Sequence, residues 1–274
     1  MAFLGKGKMA QAMRLSLCCK MINFQLQRLF IWRSEVKVLI VWLTFLIGSF
    51  IHDFSPLPRS YLSYKRNVFN VYFAKKGWGW TLMLVLGFNI LILIRHGKYD
   101  PRLTFRTLSR GFYATLAWFC LTSTFVFFEE MTGICEGNST KKTKQSCIYG
   151  GLNWNGFDIS GHCFLLSFCI LIINEELFPF VQKAELQNQA SNVADGPTDS
   201  IKSTLLDIVS LSLTMLMILW EFLMFFTCIY YHTLFQKFLG IAFGISAWYA
   251  IYFLLPKTKY HLAPLKPLYL DRLS

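Results

Sequence analysis

The sequence predicts an all-α integral membrane protein, a bundle of six transmembrane helices. Three observations carry that prediction. The 274 residues are 54% hydrophobic and 17% aromatic with only 15% charged, and a mean hydropathy of +0.43 is too apolar for an ordinary soluble domain. Six apolar segments, at 38–54, 77–94, 111–128, 159–178, 204–230 and 233–255, each approach the roughly 20 residues that cross about 30 Å of hydrocarbon. Lys and Arg gather in alternate loops.

Residues 1–37 read as a basic, amphipathic cytosolic segment, with seven Lys/Arg and one Glu. No compact apolar core followed by a small-residue cleavage site appears there, which argues against a cleaved signal peptide. Residues 21–32 mix apolar side chains with Gln25, Gln27 and Arg28, as in a helix lying on a membrane surface. Cys18 and Cys19 are either acylation sites or plain cytosolic thiols. The membrane domain then runs over 38–255, without an internal repeat, and 256–274 is a cytosolic tail. Residues 182–198, rich in Asn, Gln and Ser, form a loop between the fourth and fifth spans.

Six spans put both termini on one side. The N-terminal segment, the 95–110 and 179–202 loops and the tail hold 18 Lys/Arg against eight in the two long opposite loops, so the termini are expected in the cytosol. The sequon at Asn138, and Cys135 and Cys147 at a separation that a disulfide can close, agree with a lumenal loop. A net charge of +12 raises nucleic acid as a partner, but no nucleic-acid motif accompanies it. The 55–76 loop breaks the pattern, since Arg59, Lys65, Arg66, Lys75 and Lys76 face only the neighbouring Asp53. Those charges are either solvated or receive an anionic ligand, with Lys65, Arg66 and Asn67 the foremost contributors.

The chemistry is expected at 156–162, Gly-Phe-Asp-Ile-Ser-Gly-His, a polar turn that opens an apolar helix. Asp158 or Ser160 can cap the free amides of the first turn, and Gly161 lets a phosphate approach a helix end that favours anions. Parity supplies the companions. The start of the fourth span, the end of the fifth and the 55–76 loop lie on one face of the membrane, so His162, His232 and the 65–70 stretch share it. Lys237, about a turn beyond His232, is expected at the same level. Two imidazoles with cations and a helix N-terminus suit cleavage of a phosphate ester or anhydride, one imidazole as nucleophile or base and the other as acid.

Other polar residues have plainer readings. His52, His96 and His261 are interface or loop residues, Glu221 marks a proton path or pairs with a buried partner, and Glu175 and Glu176 face water near the interface. No Gly-x-Ser-x-Gly, P-loop or His-Glu-x-x-His occurs and the cysteines lack close zinc spacing, so neither a cofactor nor a metal site is expected. A divalent-ion requirement is left open.

Four blocks in order, SPLPRSYLSYKRNVFNVYF at 55–73, GWGWT at 77–81, GFDISGHCFLL at 156–166 and YYHTLFQK at 230–237, resemble the fat storage-inducing transmembrane proteins, most of all their type-two branch. The resemblance implies a six-span endoplasmic reticulum protein that supports lipid droplet formation, with cytosolic termini and a lumenal site. It implies a fatty acyl-coenzyme A diphosphatase, which yields acyl-4'-phosphopantetheine and adenosine 3',5'-bisphosphate. It also implies a lipid-phosphatase-like core, because the distantly similar lipid phosphate phosphatases share the Ser160-Gly161-His162 block and a second histidine at His232. By that likeness His162 protonates the leaving group and His232 attacks phosphorus. The Arg six residues before the second histidine and the Asp four after it are replaced here by Phe226 and Gln236, and Lys237 with Lys65 and Arg66 is expected to stand in for the Arg. A non-catalytic protein that binds di- and triacylglycerol is the alternative, and a transporter leaning on Glu221 is a third reading.

Overall fold

The computed structural model describes residues 21–55, 57–64, 66–96, 101–137, 143–189 and 200–257. Cys18, Cys19, Lys65, Asn138, His261 and the tail beyond residue 257 lie outside them. Among the described residues the six spans are the helices Ser34–Phe54, Phe69–Arg95, Thr107–Thr132, Gly161–Leu186, Thr204–Tyr230 and Leu234–Lys257. At about 1.5 Å of rise per residue each is long enough to cross a bilayer. The chain is a multi-pass membrane protein.

We number the helices α1 (residues 21–30), α2 (Ser34–Phe54), α3 (Gly77–His96), α4 (Pro101–Thr132), α5 (Lys144–Tyr149), α6 (Gly161–Gln189), α7 (Ser200–Tyr230) and α8 (Leu234–Tyr249). Two residues of β1 (Ile134–Cys135) pair antiparallel with β2 (Trp154–Asn155) at the base of the loop joining α4 to α6. Cys135 and Cys147 are disulfide-bonded across that loop. The second span differs from the apolar segment that announces it. A π turn at Phe69–Phe73 and a 3-10 turn at Ala74–Lys76 run straight into α3, so the last part of the expected 55–76 loop is helix. Lys75 and Lys76 obscure this continuation in the sequence by ending the apolar run.

Helix α6 is the axis of the bundle. Residues 163–177 are buried without a break, apolar apart from Ser167, Asn174, Glu175 and Glu176, so this stretch has no solvent or lipid face. Helix α8 lies closest to it, through Gly240 and Gly244. A Cβ at Gly240 would sit 2.5 Å from the Ser160 carbonyl oxygen, and one at Gly244 2.8 Å from that of Phe164. Small residues four apart thus let two backbones meet, which replaces the hydrophobic driving force that lipid cannot supply. The outer helices turn Leu39, Met83, Phe112, Phe119 and Val126 outward, as lipid-facing surfaces do.

Away from the α6 N-terminus, Arg110, Glu176 and Lys37 are buried and ion-paired. Arg110 Nε lies 2.7 Å from Glu176 Oε1 and its Nη2 donates to Glu176 Oε2 at 2.9 Å, while Asn89 and the Tyr252 hydroxyl also donate to that carboxylate. Glu175 accepts from the Ser34 hydroxyl. Neither glutamate faces water as expected from the sequence. Both are buried, and a carboxylate within the span needs a cation and donors that hydropathy does not reveal. Glu221 takes the second of its expected roles, receiving Lys37 Nζ at 2.6 Å. Helix α1 directs its polar side inward, where Asn23 donates to Ser210 Oγ and the Asp207 carbonyl, and exposes Met21, Ile22 and Leu29.

Candidate active site

Ser160 caps α6. Its hydroxyl accepts from the Cys163 amide at 3.3 Å and its own amide donates to the Gln236 carbonyl at 3.2 Å. The segment before it is strapped to the end of α4, where the Phe157 amide donates to Thr132 Oγ1 and Gly156 leaves no room for a Cβ, which would lie 2.4 Å from the Glu129 carbonyl. Gly161 and His162 therefore open α6 at a fixed place.

At the other side of the site α7 ends between donors. His52 Nδ1 donates to the Ile229 carbonyl at 2.6 Å and Lys237 Nζ to the Cys228 carbonyl at 2.8 Å, satisfying acceptors that a helix C-terminus leaves open. The chain then turns through His232 with φ of 61°, left-handed backbone that a non-glycine residue adopts only when its surroundings impose it. Thr233 and Gln236 at once start α8 with a reciprocal capping box. Gln236, which occupies the position of the absent carboxylate, thus caps one helix through its side chain and receives the start of another through its carbonyl.

The third wall comes from residues 61–76. Asn67 holds this turn together, its amide nitrogen donating to the Leu62 and Tyr64 carbonyls and its oxygen accepting from the Asn70 amide. Tyr231 ties the turn to the end of α7 by donating to the Leu62 carbonyl. Burial and the neighbouring Tyr230 phenol push the Tyr231 phenol above its ordinary pKa, so it remains a neutral donor. The π turn that follows brings Asn70 onto His162, with Oδ1 2.7 Å from Nε2. An amide oxygen only accepts, so this contact puts the ring proton on Nε2.

These walls enclose a cavity of about 380 Å³. His162 and His232 both line it, with Asn67, Asn70, Lys75, Glu129, Asp158 and Gly161. His232 Nδ1 lies 3.8 Å from Asp158 Oδ2, an ion-pair distance longer than a hydrogen bond. Glu129 is itself paired with Lys144 at 2.6 Å. Among the described residues no group of three or more His, Cys, Asp and Glu side chains is arranged to hold a metal ion.

Of the residues expected to contact substrate, His162, His232, Gly161 and Asn67 meet at this cavity, and Asn67 serves its wall. Ser160, Arg66 and Lys237 are not on its lining. Ser160 is fully buried as the α6 cap, Arg66 is exposed on the turn, and the Lys237 ammonium is buried against the α7 C-terminus. Its distance along the chain from His232 predicts that Lys237 shares the level of the histidine, but His232 is outside α8 and helical phase does not carry across its left-handed turn. Lys65 lies outside the described residues. Asp158, Asn70, Lys75 and Glu129 were not among the expected site residues. Asp158 and Asn70 did stand in the blocks that carry the resemblance, and Lys75 in the anomalous basic stretch.

Six spans around a buried axial helix, with two imidazoles facing one cavity at an end of the bundle, define a polytopic membrane protein with a polar site set at its rim. The family model described as fat storage-inducing transmembrane protein matches residues 58–136 and 126–252, and the chain belongs to that family. A Xenopus laevis protein described as acyl-coenzyme A diphosphatase FITM2 is 36% identical over 266 residues, covering 93% of this chain and 92% of that one. The human protein of that description is 37% identical over 237 residues, covering 82% and 86%, and the Drosophila melanogaster one 30% over 264 residues, covering 86% and 60%. No solved structure matches this chain.

Proposed function

We propose that this protein is a fatty acyl-coenzyme A diphosphatase of the endoplasmic reticulum membrane. It hydrolyses acyl-coenzyme A at the lumenal face to acyl-4'-phosphopantetheine and adenosine 3',5'-bisphosphate, in support of lipid droplet formation. The observation that carries the reading is the meeting of His162 and His232 on one cavity, with Asp158 beside the second and Asn70 bonded to the first. Membership of a family whose relatives are described as acyl-coenzyme A diphosphatases supports it.

In this mechanism Asp158 favours a proton on Nδ1 of His232 and leaves Nε2 to attack one phosphorus of the anhydride. The bridging P–O bond breaks, and His162, entering the step as imidazolium, gives one of its two ring protons to the departing phosphate oxygen and becomes neutral. Water then cleaves the phosphohistidine with His162 as base, so one water is consumed for each anhydride cleaved. Lys75 and the amides at the start of α6 offset charge on the transferring phosphoryl group, as a phosphoryl-transfer site requires. The core is lipid-phosphatase-like in its pair of histidines, with the carboxylate arriving from the start of the fourth span.

The Lys/Arg distribution supports cytosolic termini, and the disulfide in the loop beside the site supports an oxidising lumen on the cavity side. Partners of this reading are acyl-coenzyme A and membrane lipid. The test is release of adenosine 3',5'-bisphosphate from oleoyl-coenzyme A by the purified protein. Release by the wild type and its loss in His162→Ala and His232→Ala are expected, and no release by the wild type overturns the activity. Binding of di- or triacylglycerol, the alternative, is unaffected by either substitution.

A further inference from the structure

The cavity is polar on one level only. Helix α4 contributes Glu129 at the polar end and then Val126, Phe125 and Thr122, while α7 contributes Thr227, Phe226 and Leu223 below Tyr231 and His232. From Glu129 to Thr122, and from Tyr231 to Leu223, the wall descends about 10–12 Å along the helices. All the titratable side chains on the wall belong to the upper level. Below it, Phe125, Val126, Leu223 and Phe226 present hydrocarbon, and Thr122 and Thr227 turn their hydroxyls to the Trp118 and Leu223 carbonyls of their own helices. The lower half therefore offers nothing to a phosphate.

Its outer wall is thin. Val126 lines the cavity and is 53% exposed, whereas Phe125 beside it is buried against Phe164 and Phe243. The same helix exposes Phe119 and Phe127, so the element that walls the lower cavity also faces lipid. Helix α4 has the least buried span of the six, 11% against 28% to 89%. A chain that reaches this level from the bilayer stays in hydrocarbon throughout.

We propose that the lower cavity, walled by Thr122, Phe125, Val126, Leu223 and Phe226, is an alkyl-chain subsite that a single-chain amphiphile enters sideways from lipid past α4 while its phosphates stay at the histidines. This deepens the diphosphatase reading and rests on it for the identity of the head group. The subsite sets chain preference by depth, since each buried methylene favours occupancy and a chain too short to pass Phe226 gains none of it.

The experiment uses full-length protein in nanodiscs, with Thr122→Trp and Leu223→Trp to fill the lower cavity. The ratio of oleoyl- to hexanoyl-coenzyme A turnover is expected to fall at least tenfold in each variant. An unchanged ratio overturns the subsite. Palmitoyl-coenzyme A with a diazirine in mid-chain, photolysed on the wild type, tests occupancy without turnover. Labelling at 122–126 and 223–226 that excess oleoyl-coenzyme A suppresses supports the subsite, even if no nucleotide is released and the diphosphatase reading falls. Labelling spread over the lipid-facing helices and insensitive to competitor overturns it.

Discussion

Two polar clusters lie within this bundle, and they are built in opposite ways. Around Arg110 and Glu176, the guanidinium, carboxylate, Asn89 amide and Tyr252 hydroxyl bond one another about a void of only about 10 Å³. Around His162 and His232, the groups border about 380 Å³, and the closest carboxylate to His232 stands off at 3.8 Å. The first cluster uses its charges to hold helices together. The second turns two imidazoles toward open space, which raises folding cost and provides a place for chemistry.

The contrast is breakable by substitution. His232→Asn, chosen because Asn tolerates left-handed backbone, is expected to lower nucleotide release about 10³-fold or more with thermal stability unchanged, measured by turnover and by melting in detergent. Glu176→Gln should act in reverse, leaving a buried guanidinium short of its counter-charge at a cost of about 3–5 kcal/mol. Its signature is a lowered Tm, with residual turnover per folded molecule near that of the wild type. Asp158→Asn should lower kcat about 10- to 100-fold while KM holds, and Asp158→Glu should recover part of it. Equal loss of kcat in both variants, or a KM effect alone, removes Asp158 as the residue that orients His232. The smallest effect belongs to Lys75→Ala, a few-fold rise in KM that disappears as salt is raised.

The spans and the pairing of the histidines on one face were legible because both follow from hydropathy and parity, which are local properties counted along the chain. The partners were not. Asp158 and His232 are 74 residues apart in sequence and meet only because α6 starts where α7 ends, with Gln236 bridging them through backbone. Arg110 was counted as a loop cation and Glu176 as a solvated carboxylate, and each misreading hid the other, since a charge inside a span is recognisable only with its partner in view. Lys237 failed for a different reason, because one left-handed residue breaks the helical phase on which its expected direction depended.

The α6–α8 crossing has a consequence for genetics. Gly240 presses α8 onto the carbonyl of Ser160, the residue whose hydroxyl starts α6 and whose amide anchors on Gln236. Even the methyl group of Gly240→Ala must displace that carbonyl or the whole of α8. A screen for inactive alleles will therefore recover Gly240 alongside the histidines, although it does not line the cavity. Such an allele misaligns Gly161 and His162 from behind, and a chain carrying it inserts with all six spans yet fails at the site.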